Sequence, residues 1–104
     1  MNLSLLRILL GQTYSHEVCI EIVSETARLF RQEASPRWYF LLLNRIFVYI
    51  IAHPDDLKDA DTVEPTLRAL SISAALGIDA IEQQDQDELI LAANGLAAAY
   101  ARLC

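Results

Sequence analysis

A serine–proline pair followed by a long run with almost no polar face constrains this chain more than any other feature. Ser35 can accept from the unpartnered N–H groups of a first helical turn, and Pro36 at the first helical position has no N–H to lose. The run from Pro36 to Ala52 is apolar nearly all round, and a helix of that kind belongs in the middle of a bundle. A buried strand over Ile46 to Ile51 is the rival reading, because β-branched and aromatic residues concentrate there. The start signal, the leucines at 41–43 and the lack of a clear second strand favour helix. His53 and Pro54 end it, since a residue before proline avoids the helical region.

The segments around this run read as its partners. Residues 3–10 predict a short helix closed by Gly11, with Leu3, Leu6, Leu10 and Ile8 inward. Thr13 can cap a helix over 14–34, the clearest amphipathic segment. Its inner positions are Val18, Cys19, Ile22, Val23, Ala27, Leu29 and Phe30, and its wet face carries Glu17, Glu21, Ser24, Glu25, Arg28, Arg31 and Gln32. A polar connector from Asp55 to Asp61 leads to a helix opened by Thr62 or Glu64 and closed by Gly77, with Leu67, Leu70 and Ala74 inside and Ile72 and Leu76 flanking. Asp79 with Glu82 and Asp85 with Glu88 match capping-box spacing, so a single turn over 79–84 can precede a last helix at 86–103. Leu89, Ala93, Leu96, Tyr100 and Leu103 form that helix's seam, while Gly95 and the nearby alanines keep its other sides slim. The expected fold is therefore all-α: one domain over 1–104, a compact antiparallel helical bundle of four main helices plus a short N-terminal helix.

Composition fits a bundle and adds a question. Hydrophobic residues make up 54% of the 104 positions, above the roughly 45–50% usual in soluble domains. A chain this short has limited interior, so part of that apolar surface is expected to meet a partner or a second copy.

Charge narrows the partners. Residues 1–53 carry five Arg against four Glu, net +1, and residues 54–104 carry three basic against ten acidic groups, net −7. No basic stripe is present, which disfavours nucleic acid, and an acidic half repels phosphate and anionic lipid but attracts a basic protein. The first eleven residues lack a basic leader and a small-residue cleavage site, and Arg7 interrupts them, so they are not read as a signal peptide. The Trp38–Ala52 run holds Asn44 and Arg45 at its centre and is too short to span a membrane. Two cysteines, Cys19 among apolar residues and Cys104 at the last position, where mobility is expected, make no disulfide framework, so a reducing, cytoplasmic setting is expected.

Motifs for catalysis are missing: there is no Gly-rich phosphate loop, no Gly-x-Ser-x-Gly, no His-Glu-x-x-His and no Cys-x-x-Cys. His16 and Cys19 share a helix face and Glu17 and Glu21 are neighbours, but the two glutamates lie on the wet side and no Glu-x-x-His is present, so no metal and no cofactor are expected. Asp55, Asp59 and Asp61 lack the glycine and the spacing of a calcium loop. His53 beside Asp55 and Asp56 can be oriented by a carboxylate for acid–base work, yet a histidine at a helix end and aspartates in a turn are ordinary.

Arg45 is the informative oddity. In the middle of the most apolar helix it must pair with one of the helix glutamates, lie in an interface or hold an anion. Trp38, Tyr39 and Phe40 open the same helix beside Arg37 and cannot all face one way. These residues point to a non-catalytic interaction module, an adaptor, inhibitor or subunit, acting as a homodimer or in a complex, with Trp38, Tyr39, Arg45 and Tyr49 as contacts. The alternative is a small-ligand or metal binder, or a small enzyme, using His16, Arg45 or His53 between helices.

Overall fold

The computed structural model describes residues 3–57 and 60–103, without the side chains of residues 3, 11, 60 and 62. Five helices follow one another: α1 (Leu3–Thr13), α2 (His16–Gln32), α3 (Pro36–Ala52), α4 (Ala60–Glu82) and α5 (Gln86–Leu103), with a 3-10 turn at Pro54–Asp56 between α3 and α4. The chain is an all-α bundle, with no strand among the described residues, and Ile46 to Ile51 are helical. Lys58, Asp59 and Cys104, to which the polar connector and the chain end were assigned, lie outside the described residues.

The start signal of α3 operates as its chemistry demands: Ser35 Oγ accepts from the Trp38 N–H at 3.5 Å, with Pro36 in the first turn. From there α3 packs against all four other helices. Tyr39, Leu42, Ile46 and Tyr49 repeat at helical spacing and form its fully enclosed stripe. The helix is central but not enclosed all round, because Phe40 and Phe47 on its other side remain exposed.

Around α3 the bundle is two hairpins and an extra helix. The pair α2–α3 turns at residues 33–35, and the pair α4–α5 turns at 83–85. The two hairpins are tied where Gln86 Nε2 donates to the Ala34 carbonyl at 2.5 Å. Cys19, Val23, Thr26 and Phe30 supply the inner stripe of α2, and Leu89, Ala93, Leu96, Tyr100 and Leu103 supply that of α5 as their spacing predicts. Ile8 and Val18, expected inside, are exposed, Thr26 takes an inner position of α2, and the expectation for Leu3 lies outside the described side chains.

Four boundaries differ from the sequence reading: α4 already begins at Ala60, ahead of Thr62 and Glu64, and the other three differ for a local reason. Gly11 does not end α1; the helix runs to Thr13, whose hydroxyl bonds back to the Leu9 carbonyl at 3.0 Å. The cap of α2 is therefore Ser15, whose Oγ accepts from the Val18 N–H at 3.2 Å. Gly77 does not end α4; the helix continues through it to Glu82 and absorbs the turn expected at 79–84.

Gly77 serves a contact rather than a terminus. A Cβ built on it would lie 2.0 Å from both Cζ and the hydroxyl of Tyr39, so only glycine leaves room for that ring tip. Tyr39 uses the opening to reach the backbone of α4, donating to the Ser73 carbonyl at 2.8 Å, with the Ala74 carbonyl at 3.3 Å. The true stop is at Gln84, which has φ 56°. The Asp85 N–H bonds the Ala80 carbonyl at 2.8 Å and the Gln84 N–H the Ile81 carbonyl at 3.2 Å, the paired closure of a Schellman end. Asp85 then caps α5, its carboxylate accepting from the Glu88 N–H at 3.2 Å.

Candidate functional site

Arg45 projects from the side of α3 that faces α2. Its guanidinium donates to the hydroxyl of Thr26, which is fully buried and in turn donates to the Ile22 carbonyl at 2.7 Å. This chain of donors explains why threonine sits in the inner stripe of α2: its hydroxyl gives the arginine an acceptor and spends its own proton on the helix backbone. The pairing with a helix glutamate expected from sequence does not form; among the described residues, no carboxylate lies within salt-bridge distance of Arg45. Glu25 pairs instead with Arg28 one turn along α2, and that guanidinium holds the Glu25 carboxyl below its ordinary value.

Arg45 borders a cleft of about 250 Å³ between α2 and α3, lined by Tyr14, Cys19, Ile22, Leu41, Asn44, Arg45 and Val48. Burial pushes the Cys19 thiol up, so the sulfur facing this cleft is a neutral group.

His16 and His53 come together, although they are distant in sequence. The start of α2 brings His16 and the end of α3 brings His53 to one carboxylate oxygen of Asp56, at 3.6 and 3.4 Å from their Nδ1 atoms. His53 Nε2 lies 2.9 Å from the Tyr14 carbonyl, and the Tyr49 hydroxyl lies 3.4 Å from His16 Nδ1. A ring nitrogen facing a carbonyl must donate, so in a neutral His53 the proton belongs on Nε2. The rings of His16, Tyr49 and His53 pack against one another, tilted or edge-on, at centroid distances of 5.6–5.9 Å. The contacts of His16 with Tyr49, His53 and Asp56, and of His53 with the Tyr14 carbonyl, fasten the α1–α2 link and the start of α2 to the end of α3. The pairing of His53 with Asp56 was visible in sequence; the arrival of His16 was not. Cys19 is buried and Glu17 and Glu21 are exposed, so the metal-ligand types near His16 do not converge. Among the described residues, no group of three or more His, Cys, Asp or Glu is placed to hold a metal ion.

The four contact residues expected from sequence divide evenly. Tyr39 and Tyr49 have no exposed surface; one is locked into α4 and the other packs edge-on against Tyr100 at 5.5 Å. Trp38 and Arg45 keep part of their surface. Trp38 sits under the Arg37 guanidinium, 5.3 Å from its ring centroid, and donates from Nε1 to Glu33 at 3.3 Å.

A surface that was not singled out in sequence is the outer face of α1. Leu5, Ile8 and Leu9 occupy one face at i, i+3 and i+4 and are 54%, 56% and 50% exposed. The opposite face holds the half-buried Leu6 and Leu10 and rests on α3, with a shallow gap between the two helices lined by Ser4, Arg7, Ile50, Ile51 and Pro54. The signal for this was available: α1 is leucine-rich on both faces and only one can point inward. No helix among the described residues is long and apolar enough to cross a membrane. No protein-family model, curated protein or solved structure matches the chain.

Proposed function

We propose that the chain is a non-catalytic protein-interaction module that pairs with a second copy of itself through the outer face of α1. The observation that carries this is the row of Leu5, Ile8 and Leu9, three large aliphatic side chains each about half open to solvent on a helix whose other face is already packed. Contiguous apolar surface of this kind marks contact sites on small proteins, because covering it removes water from area that folding left wet. A twofold pairing matches a patch with little charge, since a self-complementary surface must meet its own kind. Arg7 is the one charged residue of α1. The acidic second half stays outside the pairing and offers a basic protein an attractive field that added salt weakens.

Sedimentation equilibrium of the full chain from about 1 to about 100 μM tests this, because a μM dissociation constant corresponds to about 8 kcal/mol. The expected result is a dimer that Ile8→Gln with Leu9→Gln converts to a monomer with unchanged helical circular dichroism. A wild-type chain that stays monomeric over that range, or a dimer that the double substitution leaves intact, overturns the proposal.

A further inference from the structure

We propose that the cleft between α2 and α3 is a binding site for a small carboxylate with a short branched apolar body, its head on Arg45 and Asn44 and its body between Ile22, Leu41 and Val48. Three observations carry this. The first is the arginine itself: its one described bond goes to the neutral Thr26 hydroxyl, which leaves most of its five N–H donors and its whole charge uncompensated by the protein. A planar guanidinium fork fits a carboxylate in two parallel bonds, and such charge-assisted bonds are the strong ones. The second is the lining, which sets an amide at Asn44 beside that charge and aliphatic side chains from both helices opposite it. Among the described residues no carboxylate side chain lines the cleft, and its sulfur belongs to a buried cysteine held as the neutral thiol. The third is size: about 250 Å³ falls just below the range of roughly 300–1,000 Å³ that holds drug-sized ligands, which selects a compact molecule.

The positions explain why these groups meet. Leu41, Asn44, Arg45 and Val48 recur at i, i+3, i+4 and i+7, so one stripe of α3 supplies charge, amide and apolar wall together. The cleft is lined by residues of α2, α3 and the link before α2, whereas the proposed pairing uses Leu5, Ile8 and Leu9, so the two sites share no residue and each is tested by its own variants.

The test is a titration of the full chain with sodium 4-methylpentanoate, followed by backbone and side-chain amide NMR. Its neutral isostere 4-methylpentanamide and inorganic phosphate serve as comparison probes. The expected result is saturable shifts at Ile22, Asn44, Arg45 and Val48, with the acid binding at least about tenfold tighter than the amide or phosphate, the span of a charge-assisted bond. Arg45→Met removes the fork and keeps the stem. Val48→Glu keeps Arg45 and Thr26 in place and sets a competing carboxylate one turn away, so a folding defect in the first variant does not decide the matter. Both variants are expected to erase the preference for the acid. Shifts that fail to saturate by about 20 mM, a weak limit near 2 kcal/mol of affinity, overturn the site. Equal binding of acid and amide removes the role of Arg45, and phosphate binding as tight as the acid removes the apolar half; either result overturns the ligand class.

Discussion

Gly77→Ala separates packing from helix propensity more cleanly than any other single change in this protein. In an exposed helix interior the substitution gains about 1 kcal/mol, because alanine restricts the unfolded chain and glycine does not. At this site the new methyl carbon would stand 2.0 Å from Cζ and the hydroxyl of Tyr39 and 2.6 Å from its Cε1. The ring is enclosed on all sides and cannot swing aside without moving Phe30 or Phe40, whose rings lie 6.4 and 6.2 Å away. Overpacking of this sort costs about 1–3 kcal/mol, and withdrawing the hydroxyl from the Ser73 carbonyl leaves buried polar atoms at a further cost of about 1–3 kcal/mol. Set against the propensity gain, the net loss is about 3 kcal/mol, a large share of the roughly 5–15 kcal/mol that holds a domain folded. Urea unfolding followed by far-ultraviolet circular dichroism measures it. Gly95→Ala is the internal control. There the new carbon meets the rotatable Ser73 hydroxyl at 2.6 Å and its Cβ at 3.4 Å, so the propensity gain should largely survive. In a Tyr39→Leu background the penalty at Gly77 should disappear, since the ring tip is gone. A Gly77→Ala protein as stable as the parent would refute the account of Tyr39 as a side chain seated in α4.

Three further outcomes follow from the same geometry. Gln84→Gly should raise stability by about 1 kcal/mol in the same urea assay, because Gln84 holds a left-handed φ of 56° at the helix end. Burial pushes the Tyr39 hydroxyl up to about 12 from an ordinary 10. The unfolded chain therefore releases this proton first, and stability should fall as pH rises between those values, with a shallower fall in Tyr39→Phe. In a Cys104→Ser background, Cys19 should react with a thiol reagent at least about a hundredfold more slowly in the native protein than in urea, since it is both buried and held protonated.

What could be read in advance was whatever one helix decides alone. The Ser35–Pro36 start, the helical state of residues 46–51 and the seam of α5 rest on local chemistry and periodicity, and they stand. What could not be read was whatever two helices decide together. Glycines look like terminators in a sequence, yet Gly77 is there because a tyrosine from another helix enters α4, and the actual stop falls on a glutamine. Tyr39 and Tyr49 look like contact residues because aromatics are common at interfaces, but both are consumed by the core. Arg45 announced itself as a residue in need of a partner, and the partner is a threonine that no charge rule would select. Similarly, His53 and Asp56 are neighbours in the chain, whereas His16 reaches them only because α2 and α3 lie antiparallel.

The order of the helices has a kinetic meaning. The most extensive contacts join α2 to α3 and α4 to α5, pairs that follow one another along the chain. Each hairpin can close over a short loop, so little chain entropy is lost before contacts form, and such wiring belongs to the class that folds in microseconds to milliseconds. The insertion of Tyr39 beside Gly77 is different, because it joins one hairpin to the other and requires both to exist. With Tyr49 against Tyr100 and Gln86 on the Ala34 carbonyl, that insertion couples two locally closed hairpins, so the docking of one hairpin on the other is where the long-range contacts of this fold are concentrated.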